Sequence, residues 1–311
     1  MAAADIDLAV IIPLYNEGAV IQENFRRIRQ VFAEDGLACH FVLVDDGSSD
    51  ATWQEISLLV KEFPEVSALR FARNFGKEAA ICAGLERVEA RRYLVMDSDL
   101  QHPPRCVKEM VALMEREQAD IVEGVKEKRG RESLAYRLLA NGFYRLMKLL
   151  TGLDLERSSD FKLLDRGVVE ALRRFEESSL FFRGLVAWVG FKRVAYSFAV
   201  DGPGCRRSRF TAGKLIRLAL NAILSYTSKP LYLTIISGLI FLLISVLLGI
   251  QTLYNYFSGR AVSGFTTVIL LLLFTGSMIM ISLGFIGVYI ARIYDEVKRR
   301  PRYVVSETAG M

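Results

Sequence analysis

The stretch from Tyr93 to Pro104, YLVMDSDLQHPP, joins a short apolar run to a polar turn. Its first four residues are typical of a buried strand, and the run stops at Asp97 and Asp99, two acids separated by one serine. Gln101 and a double proline follow. The stretch therefore predicts a buried strand that presents two carboxylates where it ends.

Further short β-branched runs alternate with helical periods through about the first 200 residues, a length suited to one α/β domain. The predicted strands are Leu8–Ile12, His40–Val44, Ser67–Phe71, Tyr93–Met96 and Ile121–Gly124. The predicted helices are Gly18–Glu34, Thr52–Phe63, Lys77–Arg87 and Pro104–Glu117. This order predicts an open, mostly parallel α/β sheet with helices on both faces. Ligands of such sheets bind at the C-terminal ends of the strands.

Carboxylates dominate the predicted strand ends, in residues 13–17 (PLYNE), 44–50 (VDDGSSD) and 97–101 (DSDLQ). No GxGxxG or GxxxxGK[ST] motif accompanies them, so neither a dinucleotide fingerprint nor a P-loop is indicated. Carboxylate and amide oxygens are hard ligands suited to Mg²⁺ or Mn²⁺, which would bridge diphosphate oxygens. An isolated DxD is more often a solvated turn, but here the acids follow an apolar strand.

The C-terminal third has a different character. No charged residue occurs from Pro230 to Gly259 or from Ala261 to Ala291. Each stretch is longer than the about 20 residues that a helix needs to cross a bilayer. This length favours a transmembrane hairpin over a pair of buried core helices. Basic residues flank the hairpin on both sides, so the positive-inside rule predicts cytoplasmic termini. The net charge of +5 suits anionic lipid or phosphate partners, and no dense Lys/Arg block indicates nucleic acid.

Several ordered motifs carry a family resemblance. They are PLYNE, VDDGSSD, NFGKEAAICAGL, DSDLQHPP, SSDFKLLDR, FFRGLVAWVG and GFIGVYIARIYDEVKRRPRY. In this order they resemble the family 2 glycosyltransferases, whose fold is of the GT-A type. More closely they resemble the polyprenyl-phosphate glycosyltransferases, which include bactoprenol glucosyltransferase and dolichyl-phosphate mannosyltransferase types. The resemblance covers nearly the whole chain.

The resemblance implies a domain plan. A cytoplasmic GT-A-type catalytic domain is expected over residues 1–210 and an amphipathic juxtamembrane helix over 211–229. The transmembrane hairpin is expected over 230–291, with helices at about 231–254 and 266–290, and a basic cytoplasmic tail over 292–311. The protein would then be a multi-pass protein of the inner (plasma) membrane. A homo-oligomer formed through the hairpin is compatible with this plan, and the sequence does not indicate how many chains it would contain.

The resemblance also implies site residues. Those for the nucleotide sugar are Pro13, Tyr15, Glu17, Val44, Asp46, Asp97, Ser98, Lys126 and Arg209. Asp97, Asp99 and Gln101 would hold Mg²⁺ or Mn²⁺, and Asp99, Asp160 and Lys126 would act in catalysis. Arg129, Arg131, Arg137 and Ser208 would face the acceptor phosphate. The loop Pro203–Phe210 departs from the family pattern, so either Arg206 or Arg207 compensates from a shifted position or phosphate binding differs in this protein.

The implied reaction is inverting transfer of a hexose from a nucleotide-diphosphate sugar to polyprenyl (undecaprenyl) phosphate. The acceptor phosphate is mostly a dianion at neutral pH, so it needs no strong general base, and Asp160 would orient a substrate instead. UDP-glucose is the favoured donor, and GDP-mannose is an alternative. A processive polysaccharide synthase and a non-catalytic scaffold of the same fold are two further alternatives.

The basic amphipathic stretch Ser133–Leu150 would suit the membrane interface or equally the packing of an ordinary domain helix. Ala212–Tyr226 is a similar but stronger candidate for the interface, because it directly precedes the first membrane segment. The loop Arg73–Lys77 precedes a predicted helix. Its helix N-terminus could meet a phosphate, or the loop could simply be solvated.

Overall fold

The computed structural model describes residues 6–126, 159–177, 181–198, 229–259 and 264–310. Its central feature is an eight-stranded sheet with the order β7-β5-β6-β4-β1-β2-β3-β8 in the described part of the chain. The strands are β1 Leu8–Leu14, β2 Cys39–Asp45, β3 Val66–Phe71, β4 Arg92–Val95, β5 Ile121–Lys126, β6 Lys162–Asp165, β7 Arg193–Phe198 and β8 Val305–Ala309. Strands β6 and β8 run antiparallel to their neighbours, and the other pairs are parallel. The expected mostly parallel α/β sheet is confirmed.

Alternate residues of β1 point to opposite faces of the sheet, because side chains along a strand alternate with a period of two. Leu8, Val10 and Ile12 join one hydrophobic cluster, whereas Ala9 and Ile11 join another. All seven residues of β1 are buried. A central strand covered on both faces is an unbroken apolar run, and this explains why the sequence pattern located it.

In the part of the chain that the structure describes, six helices cover the two faces. They are α1 Ile21–Glu34, α2 Thr52–Glu62, α3 Lys77–Arg87, α4 Cys106–Glu117, α5 Arg166–Arg173 and α6 Phe182–Trp188. The buried residues of α1, α2 and α4 belong to the first cluster, and those of α3, α5 and α6 to the second. Gly84 of α3 lies directly on β1, where an added Cβ would come within 2.3 Å of Ile11 Cγ2. This close packing fixes the start of α3 beside the ends of β1 and β2.

The C-terminal segment differs from the expected basic tail. Residues from Pro301 onward belong to the same compact unit as the sheet. Strand β8 pairs with β3, with Glu307 opposite Arg70, and Tyr303 stacks on Phe71 with ring centroids 4.9 Å apart. The expectation for residues 292–311 was therefore wrong for its last part, which completes the sheet edge. The sequence pattern did not reveal this strand because its residues are mostly exposed.

Two long apolar helices, α7 Lys229–Phe257 and α8 Phe265–Val297, form most of a second compact unit. Their spans Thr234–Phe257 and Leu271–Val297 are long and apolar enough to cross a membrane, and neither is buried inside the protein. Both helices extend beyond the ranges predicted from sequence, α8 by seven residues at its C-terminal end. The predicted juxtamembrane helix at 211–229 lies outside the described residues except for Lys229.

Candidate functional site

A cleft of about 320 Å³ opens at the C-terminal ends of β1, β2 and β4. This is the edge at which parallel α/β sheets bind ligands. The cleft is lined by Pro13, Leu14, Tyr15, Glu17, Asp46, Asn74, Gly76, Lys77, Asp97 and Asp99. Six of these were expected from the sequence, namely Pro13, Tyr15, Glu17, Asp46, Asp97 and Asp99.

The loops after β1 and β2 are joined by hydrogen bonds. The Asn16 backbone N–H donates to Ser48 Oγ at 2.9 Å, and the Glu17 N–H donates to Thr52 Oγ1 at 2.8 Å. Asn16 adopts a left-handed backbone with φ of 53°, a conformation that asparagine tolerates better than most residues. These bonds place Tyr15 and Glu17 on one wall of the cleft.

Asp46 connects this wall to the loop before α3. Its carboxylate accepts hydrogen bonds from the backbone N–H groups of Phe75 at 2.7 Å and Gly76 at 3.0 Å. Burial raises the pKa of Asp46, although these two hydrogen bonds act in the opposite direction. The adjoining Gly47 has φ of 66°, and an added Cβ there would lie 2.4 Å from the Arg73 carbonyl carbon. A glycine is therefore required for the two loops to approach this closely.

The turn after β4 carries the DxD acids. Asp99 Oδ1 accepts a hydrogen bond from the Gln101 N–H at 3.0 Å, and Leu100 between them has φ of 58°. The buried Ser98 donates from its hydroxyl to the Glu17 carboxylate, which ties this turn to the β1 loop. Burial raises the pKa of Glu17, and the charges of Asp99 and Asp97 act in the same direction.

Asp97 and Asp99 both line the cleft and fit a hard divalent cation. Mg²⁺ is commonly bound through one or two carboxylates, with substrate phosphates and waters completing its shell. No cluster of three or more His, Cys, Asp or Glu side chains suited to a metal occurs among the described residues. Gln101 Oε1 accepts a hydrogen bond from Lys126 Nζ at 3.0 Å, and its expected part in holding the metal stays a prediction.

Lys77 links the DxD turn to Asp160. Its Nζ lies 2.6 Å from Asp97 Oδ1 and 3.0 Å from Asp160 Oδ2. Burial acts to lower the pKa of Lys77, but the negative charges of these two aspartates outweigh burial and raise it. Lys77 starts α3 directly after the positive-φ Gly76, so the backbone that positions Asp46 also positions this ammonium group.

Asp160 is held by two cations. Arg183 donates to it from Nε at 2.6 Å and from Nη2 at 2.9 Å, and Lys77 contacts the same carboxylate. Burial acts to raise the pKa of Asp160, but the hydrogen bonds and charges of Arg183 and Lys77 hold it well below its ordinary range. A carboxylate with so low a pKa and both oxygens occupied is a poor general base.

Glu78 is a second partly buried acid beside this cluster. Its Oε2 accepts a hydrogen bond from the Phe182 N–H at 2.7 Å, next to Arg183. Burial, with the neighbouring charge of Asp160, raises the pKa of Glu78 to about 7. The start of α6 is thus attached to α3 through a group that titrates near neutrality.

The other predicted residues have different outcomes. The Val44 side chain is fully buried in the core, so it does not line the cleft as expected for a donor-binding side chain. Lys126 ends β5 and contacts Gln101. Five predicted residues lie outside the described part of the chain, namely Arg129, Arg131, Arg137, Ser208 and Arg209.

The predicted site set did not include two cations that the structure brings to Asp160. The sequence indicates Lys77 only as part of a loop that opens a helix after a strand. Arg183 lies in the FFRGLVAWVG motif, which was the available signal for it. The motif alone does not place Arg183 at Asp160, because that contact depends on how α6 packs against α3.

The chain is similar in sequence to known proteins. The model of the family described as Glycosyl transferase family 2 matches residues 9–173. Bacillus subtilis CsbB, described as a glycosyltransferase, is 36% identical over 96% of this chain and 91% of its own length. The Escherichia coli prophage bactoprenol glucosyl transferase homolog is 32% identical over 96% of this chain and 98% of its own length.

Solved structures also match this chain. The mannosyltransferase of Pyrobaculum calidifontis, in complex with GDP-Man and Mn²⁺, is 19% identical. The match covers 63% of this chain and 58% of that chain, with a TM-score of 0.45. The family match alone covers more than half of the 311 residues. The chain therefore belongs to glycosyl transferase family 2.

Proposed function

We propose that the protein transfers a hexose from a nucleotide-diphosphate sugar to polyprenyl phosphate at the cytoplasmic face of the inner membrane. The observation that carries this proposal is the cleft in which Asp97 and Asp99 meet the loops of β1 and β2. The bactoprenol glucosyl transferase relative, matched over nearly its whole length, supports a lipid-linked acceptor. It also favours glucose, and hence UDP-glucose, over GDP-mannose.

The cleft divides into a nucleoside wall and a phosphate end. Pro13, Tyr15 and Asp46 line the wall, where the half-exposed Tyr15 ring offers a stacking surface. Asp97 and Asp99 lie at the other end with Lys77. A divalent cation held by the two aspartates would supply Lewis-acid stabilisation of the departing diphosphate.

The acceptor supplies its own nucleophile. An oxygen of the phosphate dianion forms a bond to the anomeric carbon while the bond from that carbon to the nucleoside diphosphate breaks. Single displacement of this kind inverts the anomeric configuration. Asp160 removes no proton in this scheme. It holds the Lys77 ammonium and the Arg183 guanidinium beside the cleft, where their positive charges reduce repulsion between two anionic substrates.

The hairpin provides access to a lipid acceptor. Helices α7 and α8 present exposed apolar side chains along their length, which is unfavourable in water and suits a bilayer. The chain before α7 and the strand after α8 both contribute to one sheet. An inserted pair of crossings therefore returns the chain to the side on which the catalytic unit lies, and the flanking basic residues favour the cytoplasmic side.

A transfer assay tests this proposal. Detergent-purified protein is incubated with polyprenyl phosphate, Mg²⁺ or Mn²⁺, and labelled UDP- and GDP-sugars, and labelled lipid is extracted. We expect label from UDP-glucose with the wild type and with Glu170→Gln, a surface control. Asp99→Ala should abolish it, as should a chelator. Label from GDP-mannose alone would identify GDP-mannose, rather than UDP-glucose, as the donor. The absence of labelled lipid with every donor would favour a binding-only scaffold.

A further inference from the structure

Strand β8, which follows the hairpin, pairs with β3 at one edge of the sheet. Strand β8 runs antiparallel to β3 and sets Glu307 directly opposite Arg70. The Val304 carbonyl accepts a hydrogen bond from the Ala72 N–H at 2.9 Å, which extends this attachment. Cross-strand pairs of opposite charge stabilise such an edge.

Glu307 uses both of its carboxylate oxygens. Oε1 accepts a hydrogen bond from Arg70 Nη1 and Oε2 accepts one from Trp53 Nε1, each at 2.8 Å. Trp53 lies in the first turn of α2, directly after the β2 loop, and is buried. One carboxylate on β8 thus contacts β3 and the helix that follows the β2 loop.

Arg70 carries the contact from Glu307 to the β2 loop. Its Nε lies 3.3 Å from Asp45 Oδ2, and its Nη2 donates to the Ser48 carbonyl at 3.3 Å. Asp45 is fully buried, and its Oδ2 has no hydrogen-bond partner among the described residues. The Arg70 charge is therefore its main compensation, since a buried carboxylate without a nearby cation is strongly unfavourable.

The same loop contributes Asp46 to the nucleoside wall. Ser48 Oγ accepts the Asn16 N–H, and the Ser48 N–H donates to Asp45 Oδ1 at 3.0 Å. Asp46, next to Asp45, lines the cleft. We propose that Glu307 is a positioning residue for the nucleotide site, which acts through Arg70 to hold the β1 and β2 loops in their binding arrangement. Its consequence for nucleotide affinity rests on the proposed function.

Glu307→Gln is the sharpest variant, because a glutamine side chain offers one acceptor oxygen and one donor nitrogen. It cannot accept from Arg70 and Trp53 at separate oxygens as glutamate does. Half of the Glu307 side chain is exposed, at 49%, so the substitution leaves no buried uncompensated group at that position. Arg70→Lys is a second variant, which keeps the charge but lacks the fork that reaches several acceptors. Glu170→Gln is the matched control, since it changes an exposed ion pair on α5.

Two readouts are measured on the full-length protein in detergent. Hydrogen–deuterium exchange reports the backbone N–H groups at residues 16–18 and 48–52, and calorimetric titration with UDP and with GDP reports nucleotide affinity. We expect faster exchange at both loops in Glu307→Gln and Arg70→Lys but not in Glu170→Gln. The nucleotide that the wild type binds should bind Glu307→Gln about threefold to tenfold more weakly, because one half-exposed charged hydrogen bond is lost.

Unchanged hydrogen–deuterium exchange at the two loops in Glu307→Gln would overturn the inference, whatever the measured nucleotide affinity. Faster exchange with unaltered affinity for a nucleotide that the wild type binds would overturn it as well. If the wild type binds neither UDP nor GDP, faster loop exchange in Glu307→Gln would still support the positioning of the loops. The absence of nucleotide binding would then overturn the proposed function instead.

Discussion

Lys77 places its ammonium nitrogen 2.6 Å from Asp97 Oδ1, the first acid of the DxD turn. The same ammonium reaches Asp160 at 3.0 Å, so one cation holds two carboxylates from different parts of the chain. A divalent cation held by Asp97 and Asp99 would compete with Lys77 for the Asp97 carboxylate. Lys77 also lines the cleft, where its ammonium would offset the negative charge of a bound diphosphate.

The first prediction concerns metal binding. Lys77→Met should bind Mn²⁺ about tenfold more tightly in the absence of nucleotide, because a competing positive charge is removed from a half-exposed carboxylate. Glycosyl transfer by the same variant should fall, because Lys77 no longer offsets the charge of the diphosphate. Loss of the free Mn²⁺ signal in electron paramagnetic resonance measures binding, and labelled lipid measures transfer.

Lys108→Met, at an exposed position on α4, is the matched control and should leave both quantities unchanged. Equal or weaker Mn²⁺ binding by Lys77→Met would show that Lys77 does not compete for Asp97.

The second prediction concerns Asp160 and Arg183, which share two hydrogen bonds. Asp160→Asn and Arg183→Gln should each lower kcat by about tenfold to a hundredfold, less than the about 10²–10⁴-fold that loss of a general base can cost. The double variant should be no slower than the slower single variant, because the two residues act as one unit. A double-mutant cycle on initial rates measures this coupling, and independent, multiplying losses would contradict it.

The third prediction concerns pH and Glu78. Its pKa in the folded protein is about 7, compared with an ordinary value of 4.5. Between these values the folded state keeps a proton that the unfolded state has released, so stability falls as pH rises through this window and is constant above it. The contribution is on the order of 2 kcal/mol, discounted for partial exposure.

Glu78→Gln should flatten this dependence, since an amide can still accept the Phe182 N–H and does not titrate. The thermal midpoints of both proteins at pH 5 and pH 8 measure the effect. Subtracting the midpoint of the variant from that of the wild type at each pH cancels the contribution of other titrating groups. Parallel midpoints in the two proteins would show that Glu78 is ionised throughout.

The parts of the fold that the sequence predicted are those in which local pattern and burial agree. Strands β1 to β5 are apolar runs, and each is followed by polar residues where it leaves the sheet. Strand β8 could not be found this way, because its side chains are mostly exposed and its partner Arg70 lies 237 residues earlier. Pairing over such a distance leaves no periodic signal in either segment.

The candidate site shows the same division. Asp97, Asp99 and Asp46 follow predicted strands, so topology alone places them together at one edge of the sheet. Arg183 meets Asp160 only because α6 packs against α3, and this contact is tertiary. Val44 also ends a predicted strand, but its side chain points into the core, so the pattern alone does not tell which strand-end side chains face the cleft.

The last prediction concerns Gly47, which has both a positive φ and closely packed surroundings. A second glycine with a positive φ but open surroundings distinguishes the effects of these two features. Gly47→Ala would place a Cβ 2.4 Å from the Arg73 carbonyl carbon, whereas Gly36 has a similar φ of 70° and no atom within 4 Å of an added Cβ. Gly36→Ala should therefore cost only about 1 kcal/mol of backbone strain. Gly47→Ala should cost clearly more and weaken nucleotide binding, because the β2 loop must move away from Arg73 and carry Asp46 from its hydrogen bonds to Phe75 and Gly76. Thermal midpoints and nucleotide titrations of the two variants measure the difference, and equal losses would mean that the left-handed backbone, rather than the loop contact, requires glycine at this position.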